Sequence, residues 1–198
     1  MSQATTIDRE LLAGAHHALR TAVLAVAPPD WNLPTPCDQW NVTQVLQHAA
    51  GDQLAYVAAI TGGPGPSENP FTPSGHLDDT PLAVLDQALR ASAGAWSTVG
   101  DNAPGVPTPL PQGSLPGWLA AGACALDAAV HAWDIAVATG QNPPLTPALA
   151  GPLMAVATQI VEPLRPYGAY APALEARGGD GDAALLLRYL GRRPDWTS

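Results

Sequence analysis

The sequence predicts an all-α protein built on a four-helix bundle, and three observations lead there. Apolar residues recur at helical spacing through several long segments, the 22 prolines and 19 glycines gather between those segments, and no run shows convincing alternation of the strand type. The first helix is expected over roughly Ile7 to Val26, where Ile7, Leu11, Ala15, Leu19, Ala22 and Val26 form one face. The stretch PPDWNLPTP stops it. Asn41 caps a second helix reaching about Ile60, with Gln44 three residues on as in a capping box. Thr80 and Pro81 open a third that ends near Val99, and a fourth runs from about Trp118 to Thr139 before Gly140. Thr146 and Pro147 repeat the cap signal for a fifth, to about Leu164, and Asp182 opens a short last helix to Leu190. GVPTPLP is a candidate for a short extended ribbon. The connections 62–80 and 100–117 are long for a bundle, which fits a crossover topology or loops that cover a site.

A length of 198 residues suits a single domain over 1–198 with room for a substantial core. Eight basic residues against seventeen acidic ones, a net charge of -9, leave no footprint for a phosphate backbone, so nucleic acid is not an expected partner and neither is an anionic membrane. The opening MSQATTIDRELL lacks the basic and apolar regions of a secretory signal, and the expected location is cytoplasmic. Two cysteines, Cys37 and Cys124, cannot build a disulfide framework and fit a reducing compartment. Each reads first as a small packing residue and second as a thiol nucleophile.

The stretch DAAVHAWD, residues 127–134, places two aspartates and a histidine in what otherwise reads as core. Between Gly117 and Gly140 there is no Lys, Arg or Glu, so this helix is apolar nearly all round and is expected to be buried. A membrane span is the rival reading, opposed by the central charges: one mid-helix Asp costs about 2.5 to 3.5 kcal/mol on insertion scales. Leu119, Leu126, Val130, Trp133 and Val137 make the main ridge, and Cys124, Asp127, His131 and Asp134 share an adjoining arc. Asp127 and His131 are one turn apart and can converge on one point. Buried carboxylates need partners. Two readings stay open: a hydrogen-bonded core cluster, with Asp134 clamped by Arg188, Arg192 or Arg193 of the tail, or a divalent metal on Asp and His ligands.

A third ligand is available on the second helix, where His48 and Asp52 sit together on the flank of the apolar face. If the two helices pack side by side, His48 looks across at Asp127 and His131. His17 lies opposite the first helix's apolar face, His16 at its border and His76 in a loop, positions better suited to surface or border roles. Trp40, Trp133 and Trp196 read as structural anchors. There is no Gly-rich phosphate loop, Ser-His-Asp ordering or paired-cysteine zinc motif.

Three patches carry a resemblance. TPCDQWNVTQVLQHAA is similar to the opening of the second helix in DinB-like metal-binding proteins, in the branch of the metal-binding domain of mycothiol-dependent maleylpyruvate isomerase. AAVHAWDIAVATG resembles that branch's V-H-x-W-D-x-A-x-A-T-G segment, and LLLRYLGRRPDW its closing helix and G-R-x-P-x-W tail. The resemblance implies a DinB-like up-down-down-up four-helix bundle with additional C-terminal helices, and metal ligands at His48, Asp127 and His131. One departure is visible: the branch carries glutamate where this chain has Asp127, an arm shorter by one methylene. The large C-terminal domain of the full isomerase is also not seen in this sequence, so its substrate is not transferred.

Three protein ligands leave zinc a fourth position for water or substrate, and a thiol there, ordinarily near pKa 8.5, is more readily ionised. The expected cofactor is therefore a divalent metal, zinc first and nickel as the alternative. Relatives of the fold use low-molecular-weight thiols such as mycothiol or bacillithiol. The leading expectation is a metal-dependent enzyme of the thiol-transferase or isomerase type, acting on a small thiol and an electrophilic substrate, with Asp52 as a nearby acid/base group. The open position is expected beside Asp52, Tyr56 and Cys124, under the proline-rich loops. The alternatives are a metal-dependent hydrolase and a non-catalytic metal-binding or stress-response module. Exposed bundle faces leave room for a homodimer.

Overall fold

The computed structural model describes residues 6–197; residues 1–5, part of the stretch read for a secretory signal, lie outside the described residues. Six α-helices follow in order: α1 (Arg9–Leu24), α2 (Val42–Thr61), α3 (Pro81–Ser97), α4 (Gly117–Ala138), α5 (Pro147–Leu164) and α6 (Asp182–Tyr189). The first five begin where a cap or a proline fixes the first turn, whereas α6 starts at Asp182 after Gly181 with no side-chain cap bond. Asp8 accepts from the Leu11 N–H at 2.8 Å, so α1 starts later than its apolar stripe. Asn41 and Gln44 form the reciprocal capping box at 2.9 and 3.1 Å. Thr80 accepts from Ala83 at 3.3 Å. Thr146 departs from expectation: its side chain makes no cap bond, and α5 opens on Pro147 at its first position instead. The expected ribbon is present as β1 (Val106–Pro107) paired antiparallel with β2 (Ser114–Leu115).

Side-chain contacts fix the helix directions. Arg9, in the first turn of α1, donates to the carbonyls of Trp96 and Val99 at the end of α3, while Arg20 pairs with Asp86 near the start of α3; α1 and α3 are antiparallel. Ile7 lies against Gly117 at the start of α4, and Gln141 beyond its end donates to the Ala22 carbonyl, so α1 and α4 are parallel. Gln53 reaches the Cys124 carbonyl, whereas His48, earlier in α2, reaches Asp127, later in α4. That makes α2 antiparallel to α4, and the bundle runs up-down-down-up. The 62–80 connection is long because two successive parallel helices need a crossover.

Helix α4 is the central helix. It is long and apolar enough to cross a membrane, but nearly all of it is buried inside the bundle. Gly122 lets α5 approach closely, since a side-chain carbon there would lie 2.5 Å from Val156. The end of α6 matters for the site. Gly191, with φ +81°, closes it in a Schellman pattern, Arg192 N–H to the Leu187 carbonyl at 2.8 Å and Gly191 N–H to Arg188 at 3.0 Å. This turn carries Arg192 back toward the bundle.

Candidate metal centre

Helices α2 and α4 bring His48, Asp127 and His131 together. His48 Nε2 and His131 Nε2 each lie 3.3 Å from Asp127 Oδ1, and the three side chains are only 8%, 14% and 8% exposed for His48, Asp127 and His131. One nitrogen or oxygen from each falls within 4.8 Å of the others.

The far side of each imidazole decides which nitrogen faces the centre. His48 Nδ1 lies 2.9 Å from the Pro70 carbonyl, which can only accept, so Nδ1 carries a proton and Nε2 is the nitrogen that faces the centre. His131 Nδ1 lies 2.9 Å from Asp134 Oδ2, with the same consequence. Asp134 is completely buried and held by a bidentate Arg192, Nε to Oδ1 and Nη2 to Oδ2, both at 2.8 Å. This is the carboxylate–histidine arrangement that orients metal-ligating imidazoles in metalloproteins.

With both imidazoles in the Nδ1–H form, the two Nε2 atoms and the carboxylate would aim lone pairs at one point, an arrangement that repels itself unless a positive charge lies between them. Asp127 Oδ2 is buried without a hydrogen-bond partner among the described residues. Ligand atoms bonded to tetrahedral zinc at 2.0–2.1 Å stand roughly 3.3 Å apart, close to the spacing here. The donor set fits a divalent cation. Without one, a proton on His131 serves: burial opposes its charge, but Asp127 beside it and the bonds to Asp127 and Asp134 outweigh that and raise it well above the usual range. Burial would likewise raise Asp127, yet the His131 charge and bonds from both histidines hold it below the usual carboxylate range.

A second donor cluster, Cys37, His131 and Asp134, shares the His131 ring. There a cation is already present, because the Arg192 guanidinium touches both Asp134 and, at 3.3 Å, Cys37 Sγ. Of the three tail arginines weighed from the sequence, Arg192 is the clamp; Arg188 pairs with Asp180 instead.

Asp52 is buried one turn beyond His48 and makes no hydrogen bond among the described residues. Burial first, and the Asp127 charge second, raise its carboxyl well above the usual range, so the neutral acid is favoured. Tyr56 is buried, and desolvation with the Asp52 charge raises it too. Cys124, placed by sequence on the site arc, faces elsewhere. Its thiol donates to Gln53 Oε1 at 3.0 Å, in a buried network where the same oxygen meets His16 Nε2 and Ser92 Oγ at 2.9 Å. Burial pushes the Cys124 thiol upward, which suits a packing residue. His16 is thus an internal hydrogen-bonding residue, while His17 and His76 are exposed.

Four neighbours of the site were not legible as such in the sequence. The 62–80 connection contributes Pro70 and also Phe71, which is 62% exposed with its ring edge-on to His48 at 5.5 Å. Trp40 lies over His48 with centroids 4.7 Å apart, more than a remote anchor. Tyr170, from the segment after α5, is raised to about 12 by burial and by Asp127. None of the four carries periodicity that ties it to α2 or α4.

Fold and site define an all-α bundle whose facing helices converge a metal-type donor set from α2 and α4. The chain belongs to the family of the mycothiol maleylpyruvate isomerase N-terminal domain, whose model matches residues 12–136. It is also similar to uncharacterized proteins of Mycobacterium tuberculosis, from strains CDC 1551 / Oshkosh and H37Rv. Each is 33% identical over 168 residues, covering 80% of this chain and 83% of its own length. No solved structure matches the chain.

Proposed function

We propose that this protein is a cytoplasmic, metal-dependent transferase or isomerase that uses a low-molecular-weight thiol of the mycothiol type against a small electrophile. One observation carries the reading: two imidazoles tethered at Nδ1 turn their Nε2 atoms, together with a carboxylate, toward one buried point, and Asp127 Oδ2 has no hydrogen-bond partner among the described residues. The ligands are His48, Asp127 and His131; zinc is the expected ion and nickel the alternative. Such an ion supplies charge that lowers the pKa of a thiol at its open position from about 8.5 toward neutrality.

The rest is work for the chain's own residues. Pro70 and Asp134 keep both imidazoles in the Nδ1–H form. Asp52, favoured as the neutral acid, holds a proton one turn from His48 and is the catalytic group proposed to donate it to the electrophile. Trp40 and Phe71 screen the His48 side from water. The family's mycothiol association selects the thiol, and the net charge of -9 means that attraction of an anionic thiol must come from the bound cation.

Protein purified without chelator should carry one divalent ion per chain by elemental analysis. Calorimetry with mycothiol should show binding and proton release only in the loaded form. Equal binding to loaded and metal-free protein, or none to either across mycothiol and bacillithiol, would overturn the thiol reading.

A further inference from the structure

The Cys37, Asp134 and His131 cluster offers a thiol, a carboxylate and an imidazole nitrogen within 4.8 Å of one another, a softer donor set than the one beside it. The two sets cannot be served together. The inner set needs a lone pair on His131 Nδ1, whereas His48 and Asp127 need one on His131 Nε2 and a proton on Nδ1. The contacts around Asp134 settle the competition. Its carboxylate receives the His131 Nδ1–H at 2.9 Å, the Cys37 thiol at 3.3 Å and both Arg192 nitrogens at 2.8 Å. Arg192 Nη2 also lies 3.3 Å from Cys37 Sγ, so the guanidinium stands beside the thiol and the carboxylate, where a metal ion would bind.

We infer that Arg192 is a positioning residue with two effects: through Asp134 it locks His131 in the Nδ1–H form, and with its own fixed charge it keeps metal off the Cys37–Asp134–His131 cluster. The inference rests on the metal reading of His48, Asp127 and His131 for the first effect only; the second concerns the inner cluster by itself. Arg suits the task because its charge is permanent and its planar fork grips the carboxylate with two bonds. Its placement depends on the Gly191 turn, where any side-chain carbon would lie 2.7 Å from Ala171 and the backbone is left-handed. Both residues lie beyond the segment 12–136 that the family model matches, in the GRRPDW stretch that resembles the branch's closing tail. The C-terminal tail is therefore part of the metal centre and not an appendage to it.

Cobalt(II) is the probe, since a cysteine ligand adds a near-ultraviolet thiolate-to-cobalt charge-transfer band. Wild-type protein should bind cobalt without that band. Arg192→Ala should bind cobalt about 10- to 100-fold more weakly at the outer site and acquire the band, which Cys37→Ser in the same background should remove. Arg192→Lys, keeping the charge but not the fork, should recover affinity in part and show no band. Thermal melts of the metal-free variants identify any loss of fold. Should Arg192→Ala not fold, Arg192→Gln takes its place in the same cobalt titration, since it removes the charge and the fork while keeping most of the side-chain volume.

An Arg192→Ala protein that folds, binds cobalt as wild type does and shows no band would overturn the inference. Wild-type protein that binds no cobalt while Arg192→Ala gains the band would overturn the metal reading of the outer site and support the guarding role. No binding and no band in either would overturn both.

Discussion

Gly51 and Pro70 are in direct contact: a side-chain carbon on Gly51 would lie 3.0 Å from the Pro70 ring. Pro70 in turn accepts the Nδ1–H of His48, one turn back on α2. The absence of a side chain at 51 thus lets the crossover loop sit close enough to orient a candidate ligand. Gly51→Ala should push Pro70 away, break that bond and lower metal affinity by about tenfold, measured by competition with a chromophoric chelator. It should also destabilise the fold by about 1–3 kcal/mol from overpacking. Gly94→Ala is the control. A carbon there, in the last turn of α3, meets nothing within 4 Å among the described residues, and it should stabilise the protein by about 0.5–1 kcal/mol without changing metal affinity.

Metal content should discriminate among the histidines. His131→Ala should abolish stoichiometric metal, while His17→Ala and His76→Ala, at exposed positions, should keep it in full. Equal retention by all three variants would return DAAVHAWD to an ordinary polar cluster.

The pH dependence follows from His131. Its pKa in the folded, metal-free protein is raised above the ordinary 6.5, so the proton stabilises the fold fully below about 6.5, and this contribution is lost as pH rises through the folded value. A bound cation must displace that proton. Binding should therefore release at least one proton near neutrality, read from calorimetry in buffers of different ionisation enthalpy. The gap in Tm between loaded and metal-free protein should widen as pH rises above about 6.5. A gap that narrows over that range would contradict the assignment.

Gln53 organises a different interior. Its Oε1 meets donors from His16, Ser92 and Cys124, and its amide donates to the Cys124 carbonyl, all away from the three converging donors. Gln53→Ala should cost about 3 kcal/mol or more, because several buried groups lose their partner, as read from urea unfolding. Metal affinity should be unchanged, since Gln53 hydrogen-bonds none of His48, Asp127 and His131.

Local features of the sequence determined a good deal of this protein. The capping box of Asn41 and Gln44, the proline starts and the glycine stops are decided within one turn of chain, so the helices were legible to within a few residues. The one-turn spacing of Asp127 and His131, on a helix otherwise empty of charge, is equally local, as is the His48 position on the flank of α2. Tertiary structure alone decided what lies across from those residues. Cys124 shares an arc with Asp127 yet turns to Gln53, because α2 crosses α4 antiparallel and presents Gln53 at that level and His48 a turn away. The choice of Arg192 over Arg188 and Arg193 depends on a left-handed glycine that redirects the tail after α6. Pro70, Phe71 and Tyr170 reach the site from loops, where no periodicity records direction. Caps and helical faces are set by neighbours three or four residues apart, whereas the tethers of His48 and His131 span 22 residues to Pro70 and, beyond Asp134, 58 residues to Arg192, and only the packed bundle brings them together.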